Sequence, residues 1–354
     1  MTIDMKSITH ISSILLSALI LLGLGTTSCI EELENQVPVS GQLVINGQFS
    51  NSEGLRQISI LRINSITGAG TLLPADARIY RDGTDPLDLI EIEPGILRPP
   101  QGYVFEEGRA YFVELDVEGQ VYRSKPQIIQ PKLSTDSISY EVRDERNDER
   151  RPGEPILFRK IKFSAFVDLP DVNERTAYYR WVVDEAWQFI GLGQGNVCYV
   201  EEDITTNGYQ VASNTVPGAK VGLVGIPVLD QSLDFSFEHV HYVNVYLHSV
   251  DAETFDYYEK NQRLVGIDGT IYDEIPGEIE SNVINVDRPE EKVSGWVEFF
   301  QADTLRLKVI GNQINAPVPQ QCNIPPGGTP PNRCLDCGGT YGQNTRIKPF
   351  YWED

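Results

Sequence analysis

Tyr111-Phe-Val-Glu-Leu-Asp-Val-Glu118-Gly119-Gln-Val-Tyr122 decides the fold class. In an extended chain Tyr111, Val113, Leu115 and Val117 fall on one face, and Glu114, Asp116 and Glu118 on the other. Glu118-Gly119 supplies a two-residue turn, so the stretch reads as a β-hairpin with one buried face. Upstream, Leu43-Val-Ile45, Ile58-Ser-Ile-Leu61 and Ala77-Arg-Ile-Tyr80 add short strands at the spacing of a β-sandwich. No alternation of strand and helix appears, which excludes a dinucleotide-binding fold.

Gln127 to Ser137, with Pro126 and Pro131, reads as the boundary or linker, giving an N-terminal sandwich over 42–131. A second β-rich domain is expected over 132–312, and a Cys/Pro/Gly-rich tail over 313–354. The second domain opens with Ile138, Tyr140 and Val142 alternating with polar residues. Ile161, Phe163, Ala165 and Val167 then repeat that alternation, predicting a long hairpin. Its charged tip carries Asp144, Glu145, Asp148 and Glu149 among Arg143, Arg146, Arg150 and Arg151, and the spacing does not match a calcium loop. Further strands are expected at Tyr178–Val183 and His239–Leu247. Asp251-Ala-Glu-Thr-Phe-Asp-Tyr-Tyr-Glu-Lys predicts a helix with Asp251 as N-cap, Phe255 and Tyr258 on one face, and Gly266 past its end.

The residues give no catalytic motif. G-x-S-x-G, H-E-x-x-H and G-K-[ST] are absent, and Gly191-Leu-Gly193 is followed by Asn196 where a dinucleotide loop needs its third glycine. His239 and His241 share a strand face and make half a zinc site, whereas His248 has the opposite parity; structural histidines are the preferred reading, and no metal or cofactor is expected. A pair of catalytic carboxylates can hide among 51 acidic residues. Cys198, Cys322, Cys334 and Cys337 are candidates for two disulfides with three possible connectivities, with Cys198 expected to pin the tail to the second domain. Cys334-Leu-Asp-Cys337 as half of a zinc knuckle or a redox motif is the competing reading.

Lys6 precedes the uncharged run Ile11–Gly25, and Thr26-Thr-Ser28 leads into Cys29. The run is shorter than the roughly 20 residues that span a bilayer, and it reads as a leader removed at 1–28. A cysteine directly after the small residues is where lipid modification occurs, so Cys29 is the expected lipidation site, although Thr26 stands where such leaders usually carry Leu. The mature chain would begin with a tether, 29–41, containing Glu31, Glu32 and Glu34. Composition fits a folded chain, with 40% hydrophobic and 23% charged residues. The formal charge of −22 excludes nucleic acid as a partner, because such binding depends on cations that neutralise phosphate.

Gly41-Gln-Leu-Val-Ile-Asn-Gly47, Ala75-Asp-Ala-Arg-Ile-Tyr80, Gly108-Arg-Ala-Tyr111, Tyr122-Arg-Ser124, Cys198-Tyr-Val-Glu-Glu202, Phe255-Asp-Tyr-Tyr258 and Cys334-Leu-Asp-Cys337-Gly-Gly-Thr340 occur in that order, closing on Lys348-Pro-Phe-Tyr-Trp352. In this order they resemble Bacteroidota outer-membrane lipoproteins grouped as domain-of-unknown-function family 4249. The stretch between Thr340 and Lys348 is longer than in similar proteins. The resemblance implies a mainly β protein with an Ig-like or transthyretin-like (carboxypeptidase-regulatory-like) N-terminal sandwich. It implies that Glu31, Glu32 and Glu34 form a surface-export signal, that the protein is lipid-anchored in the outer membrane facing outward, and that it works beside a TonB-dependent β-barrel transporter. On that reading it is a non-enzymatic accessory that captures a small ligand, peptide or glycan. The alternatives are a structural or adhesive surface protein and a hydrolase with hidden paired carboxylates.

Overall fold

A computed structural model describes residues 41–353 apart from 53–55, 65–67, 148–155, 193–196, 204–209, 216–218, 266–278, 323, 325, 331–333 and 335–342. The leader, Cys29, Glu31, Glu32 and Glu34 lie outside the described residues, as do Asp148, Glu149, Gly193, Gly266 and Cys337.

The chain is mainly β, and its strands form two sandwiches. The first contains β1 (Gln42–Phe49), β2 (Arg56–Ile63), β3 (Gly70–Leu72), β4 (Asp76–Arg81), β5 (Thr84–Asp88), β6 (Ile90–Glu93), β7 (Ile96–Arg98), β8 (Ala110–Val117), β9 (Gln120–Ser124) and β10 (Gln127–Ile128). The second contains β11 (Ser134–Asn147), β12 (Ile156–Leu169), β13 (Tyr178–Ile190), β14 (Val197–Asp203), β15 (Gln210–Ser213), β16 (Gly222–Ser232) and β17 (Val240–Val250). After helix α1 (Ala252–Val265) come β18 (Val283–Asn285), β19 (Val293–Ser294), β20 (Val297–Phe299), β21 (Gln301–Ile310) and β22 (Gln343–Thr345).

The deciding hairpin forms as β8–β9, with Tyr111, Val113, Leu115 and Val117 at most 2% exposed. Glu118 and Gly119 both have positive φ, 54° and 77°, which matches their turn to the right-handed twist of the strands. The second expected hairpin also forms, pairing Ile138 with Ala165, Tyr140 with Phe163 and Val142 with Ile161. Asp251 caps α1 by accepting the amide of Thr254 at 2.8 Å.

The assignment of 132–312 to one separate unit needs correction. β18 joins β9, while β19 and β20 run parallel to β1, with Leu43 opposite Val293 and Phe49 opposite Phe299. Residues 283–299 therefore complete the first sandwich after the chain has built most of the second. Parallel neighbours cannot be joined by a tight turn, and here the crossover is the intervening sandwich. Gly295 (φ 94°) permits the close approach, since a Cβ there would lie 2.3 Å from the Ile45 carbonyl oxygen.

Phe299 centres the first core, with ring centroids 5.0 Å from Phe49 and 5.5 Å from Tyr111, and edge-on to Phe105 at 5.9 Å. The second core lies between the sheet β11-β12-β16 and the sheet β21-β17-β13-β14-β22. Phe163, Val167, Val183, Val243, Val245 and Leu247 fill it.

Phe299→Ala is expected to cost about 3–5 kcal/mol in urea unfolding. Phe112→Ala, on the outer face of β8 and stacked on Tyr80, should cost less than half as much. Equal losses would mean that the late segment is not integral to the first core.

Candidate functional site

The outer face of β13 and β17 carries the polar chemistry of the second sandwich. Residues of odd number from His241 to Leu247 face its core, which leaves Tyr242, Asn244, Tyr246 and His248 on the opposite side. Antiparallel sheets commonly leave that side to water. Here Tyr242, Asn244 and His248 are at most 2% exposed. Two different structures cover them.

The first sandwich covers one end. In β20, Val297 and Phe299 point into the first core, so Glu298 projects outward onto Arg180 of β13. Arg180 and Glu298 are 2% and 1% exposed, and Arg180 donates to both carboxylate oxygens of Glu298, with 3.3 Å from Nε to Oε2. Tyr258 of α1 donates to Glu298 Oε1 at 3.1 Å, and its ring lies under the guanidinium at 4.4 Å. His248, opposite Arg180 in the ladder, stacks on Phe300 at 4.2 Å. Burial and the adjacent Arg180 hold its imidazole well below the usual histidine range. Around this pair, Thr254 Oγ1 accepts from Gln127 Nε2 (2.9 Å) and Trp296 Nε1 (3.1 Å), and Gln127 Oε1 accepts the Phe299 amide at 3.0 Å.

The end of the chain covers the other end. Arg306 of β21 donates from Nε to Asn244 Oδ1 at 2.5 Å, and Asn244 Nδ2 donates to Asp184 at 2.5 Å and to the Tyr351 hydroxyl at 3.2 Å. The Arg306 guanidinium lies 3.8 Å from the centre of the Tyr351 ring. Trp352 packs against Tyr199 and Tyr242, each at 4.8 Å between centroids. Burial pushes the Tyr351 hydroxyl up to about 12, the Asn244 bond acts against that, and the Asp184 and Glu201 charges reinforce it. Tyr246 is also raised, first by burial and then by Asp184, so both phenols are neutral at physiological pH.

The expected histidine pair is divided. His239 precedes β17 and is half-buried. His241 points into the second core, with Nε2 3.0 Å from Glu185 and its ring stacked on Phe237 at 3.9 Å. Gln231, from the opposing sheet, also donates to Glu185. Among the described residues no group of three His, Cys, Asp or Glu side chains is placed to hold a metal ion. Of the four candidate cysteines outside the leader, Cys322 and Cys334 form a disulfide (Cα–Cα 5.8 Å), and Cys198 is disulfide-bonded as well. The carbonyl of Cys334 accepts the amide of Leu192 at 2.8 Å, which ties the stapled tail to the end of β13. A groove of about 380 Å³ is lined by the carboxylates Asp168, Asp171 and Glu174 and the cations Lys132 and Arg175.

Sequence reasoning missed Arg180, Glu298, Asn244 and Arg306. The signal was a charge inside an apolar strand, as in Tyr-Tyr-Arg180-Trp-Val and Trp-Val-Glu298-Phe-Phe, because such a charge survives burial only when paired.

Two β-sandwiches interlocked by a returning segment and keyed by a buried ionic junction define a mainly β double-sandwich protein. The chain belongs to the family described as Domain of unknown function (DUF4249), whose model matches residues 30–306. The match ends before the Cys322–Cys334 bond and the aromatic tail. No curated protein matches the chain. No solved structure matches it either.

Glu298→Ala is expected to cost about 3–5 kcal/mol, since it strands Arg180 in a dry junction. Arg180→Met combined with Glu298→Leu should cost clearly less than the sum of its single changes in a denaturation cycle. For His248 the unfolded chain binds a proton near pH 6.5 and the folded chain does not, so stability declines as pH falls below that value. His248→Leu should flatten the slope of stability between about pH 6.5 and 5.

Proposed function

We propose that this is an exported, non-enzymatic surface lipoprotein, anchored in the outer membrane through Cys29 and acting as a ligand-capturing accessory of a TonB-dependent transporter. The observation that carries the reading is disulfide bonding at Cys322–Cys334 and at Cys198, because structural disulfides persist in oxidising compartments and are rare in the cytosol. The leader ending at Cys29 supplies a route to such a compartment, and two or three acyl chains anchor a protein stably where one does not. No helix among the described residues is long and apolar enough to cross a membrane, so on this reading attachment falls to the lipid.

The non-enzymatic part is supported by what the buried acids do. Glu298 is held by Arg180 and Tyr258, and Glu185 accepts from Gln231 and lies 3.0 Å from His241 Nε2, which places both carboxylates in the framework. The transporter part follows from the resemblance described above, in which Glu31, Glu32 and Glu34 direct the protein outward.

Mass spectrometry of the N-terminal peptide should find Cys29 acylated, and Cys29→Ser should move the protein out of the membrane fraction. Affinity purification of the tagged protein from outer membranes in mild detergent should recover a stoichiometric β-barrel transporter. An acylated protein recovered alone would favour the adhesive reading, and an unmodified Cys29 would overturn both.

A further inference from the structure

We propose that the outer face of β17 and β21 is a receptor for an extended peptide carrying a tyrosine–tryptophan pair, and that Tyr351-Trp352 is its resident, exchangeable occupant. This inference is independent of how the protein is anchored.

The receiving side belongs to the hydrogen-bonded framework of the second sandwich. Tyr242 and Asn244 sit in a central strand paired on both edges, and with the tail in place they are 2% and 0% exposed. Arg306 has only donors to offer, so its bond to Asn244 Oδ1 fixes which end of the amide faces outward. Asp184 takes one Asn244 N–H, and the other is left aimed at the phenol oxygen. The Arg306 guanidinium lies over the tyrosine ring, 3.8 Å from its centre, which is cation–π distance. A tyrosine is thus read twice, by its ring face and by its hydroxyl. The neighbouring subsite reads an indole between Tyr199, met edge-on, and Tyr242, met at a tilt. Lys308 donates to the Glu353 carbonyl at 2.8 Å and Tyr242 accepts the Glu353 amide at 3.1 Å, so the main chain beyond the pair is also held.

The occupying side is built differently. Tyr351 and Trp352 are only half-buried, and Phe350, whose ring centre lies 5.9 Å from the Arg306 guanidinium, is 96% exposed. The bonds that hold Glu353 run to side chains of the face. Upstream, β22 stays in the sheet through β14, pairing Tyr199 with Thr345. A displaced hook would therefore remain tethered six residues away, at an effective concentration on the order of millimolar. A competing peptide must overcome that local excess, which makes the tail a built-in threshold for ligand entry.

The test uses the full-length, disulfide-bonded protein and a fluorescent, amide-ended peptide with the sequence of residues 348–353. Tyr351→Ala with Trp352→Ala should bind it at least about tenfold more tightly than wild type. Arg306→Ala added to that pair should abolish binding, and a peptide with Phe in place of its Tyr should bind roughly three- to tenfold more weakly. Equal binding by wild type and the double variant, or none by the double variant, overturns the proposal. Loss of native circular dichroism in the double variant also overturns it, because the hook would then belong to the core. In wild type, hydrogen exchange at the amides of Tyr351–Glu353 should be faster than at those of Val243–Leu247, and equal protection overturns exchangeability without any substitution.

Discussion

The Arg180–Glu298 pair is the contact on which the arrangement of the molecule depends. Each residue belongs to a different sandwich, and each is sealed from water, so neither charge is tolerable without the other. Apolar faces slide with little loss, whereas a bidentate guanidinium–carboxylate pair accepts only one distance and one orientation. Tyr258 extends the same constraint to α1, because its hydroxyl completes the carboxylate while its ring supports the guanidinium. Strand, helix and returning segment are thereby held in one relation. The net energy of such a pair is small once desolvation is counted, and its contribution is geometric.

β17 is the spine around which this happens. One side of it is apolar core from Val243 to Leu247 with His241 beside Glu185 at its start; the other meets the ionic junction at His248, a half-buried seam at Tyr246, and the aromatic hook at Asn244 and Tyr242. A single strand thus carries the boundary between a fixed contact and the tail contact. The difference lies in the filling: a fully desolvated ion pair at one end, and half-exposed rings with side-chain hydrogen bonds at the other.

Much of the architecture was legible in the chain because it is local. Period-two alternation and the Glu118-Gly119 turn specify the β8–β9 hairpin, and Asp251 with its acidic first turn specifies where α1 begins. What was not legible is long-range. Residues 283–299 carry strand character but nothing that says which sheet they join, since parallel pairing leaves no turn to read. His239 and His241 were placed on one face by parity, yet β17 begins between them, at Val240. The site residues were hidden for a related reason: Arg180 and Glu298 are 118 positions apart, and each alone looks like an ordinary charge in an apolar run. The run His239-Val-His-Tyr-Val-Asn-Val-Tyr-Leu-His248 did hold a clue, because a strand with aromatic and apolar residues on both parities has both faces covered.

The returning segment sets an order of events. A chain that emerges from its N-terminus makes β1 to β10 early, but β1 then has an open edge until residues 293–299 arrive, some 250 positions later. Throughout that interval the pocket for Phe299 stands empty and an unpaired strand is on offer to any neighbour. The second sandwich, all of whose strands but β21 and β22 lie within the gap, can assemble its hairpins first, so maturation of the earlier half waits on the later one. A fragment ending at residue 131 is for this reason an interrupted fold rather than a small domain, and the time spent in that unfinished state is when the protein is most in need of a chaperone.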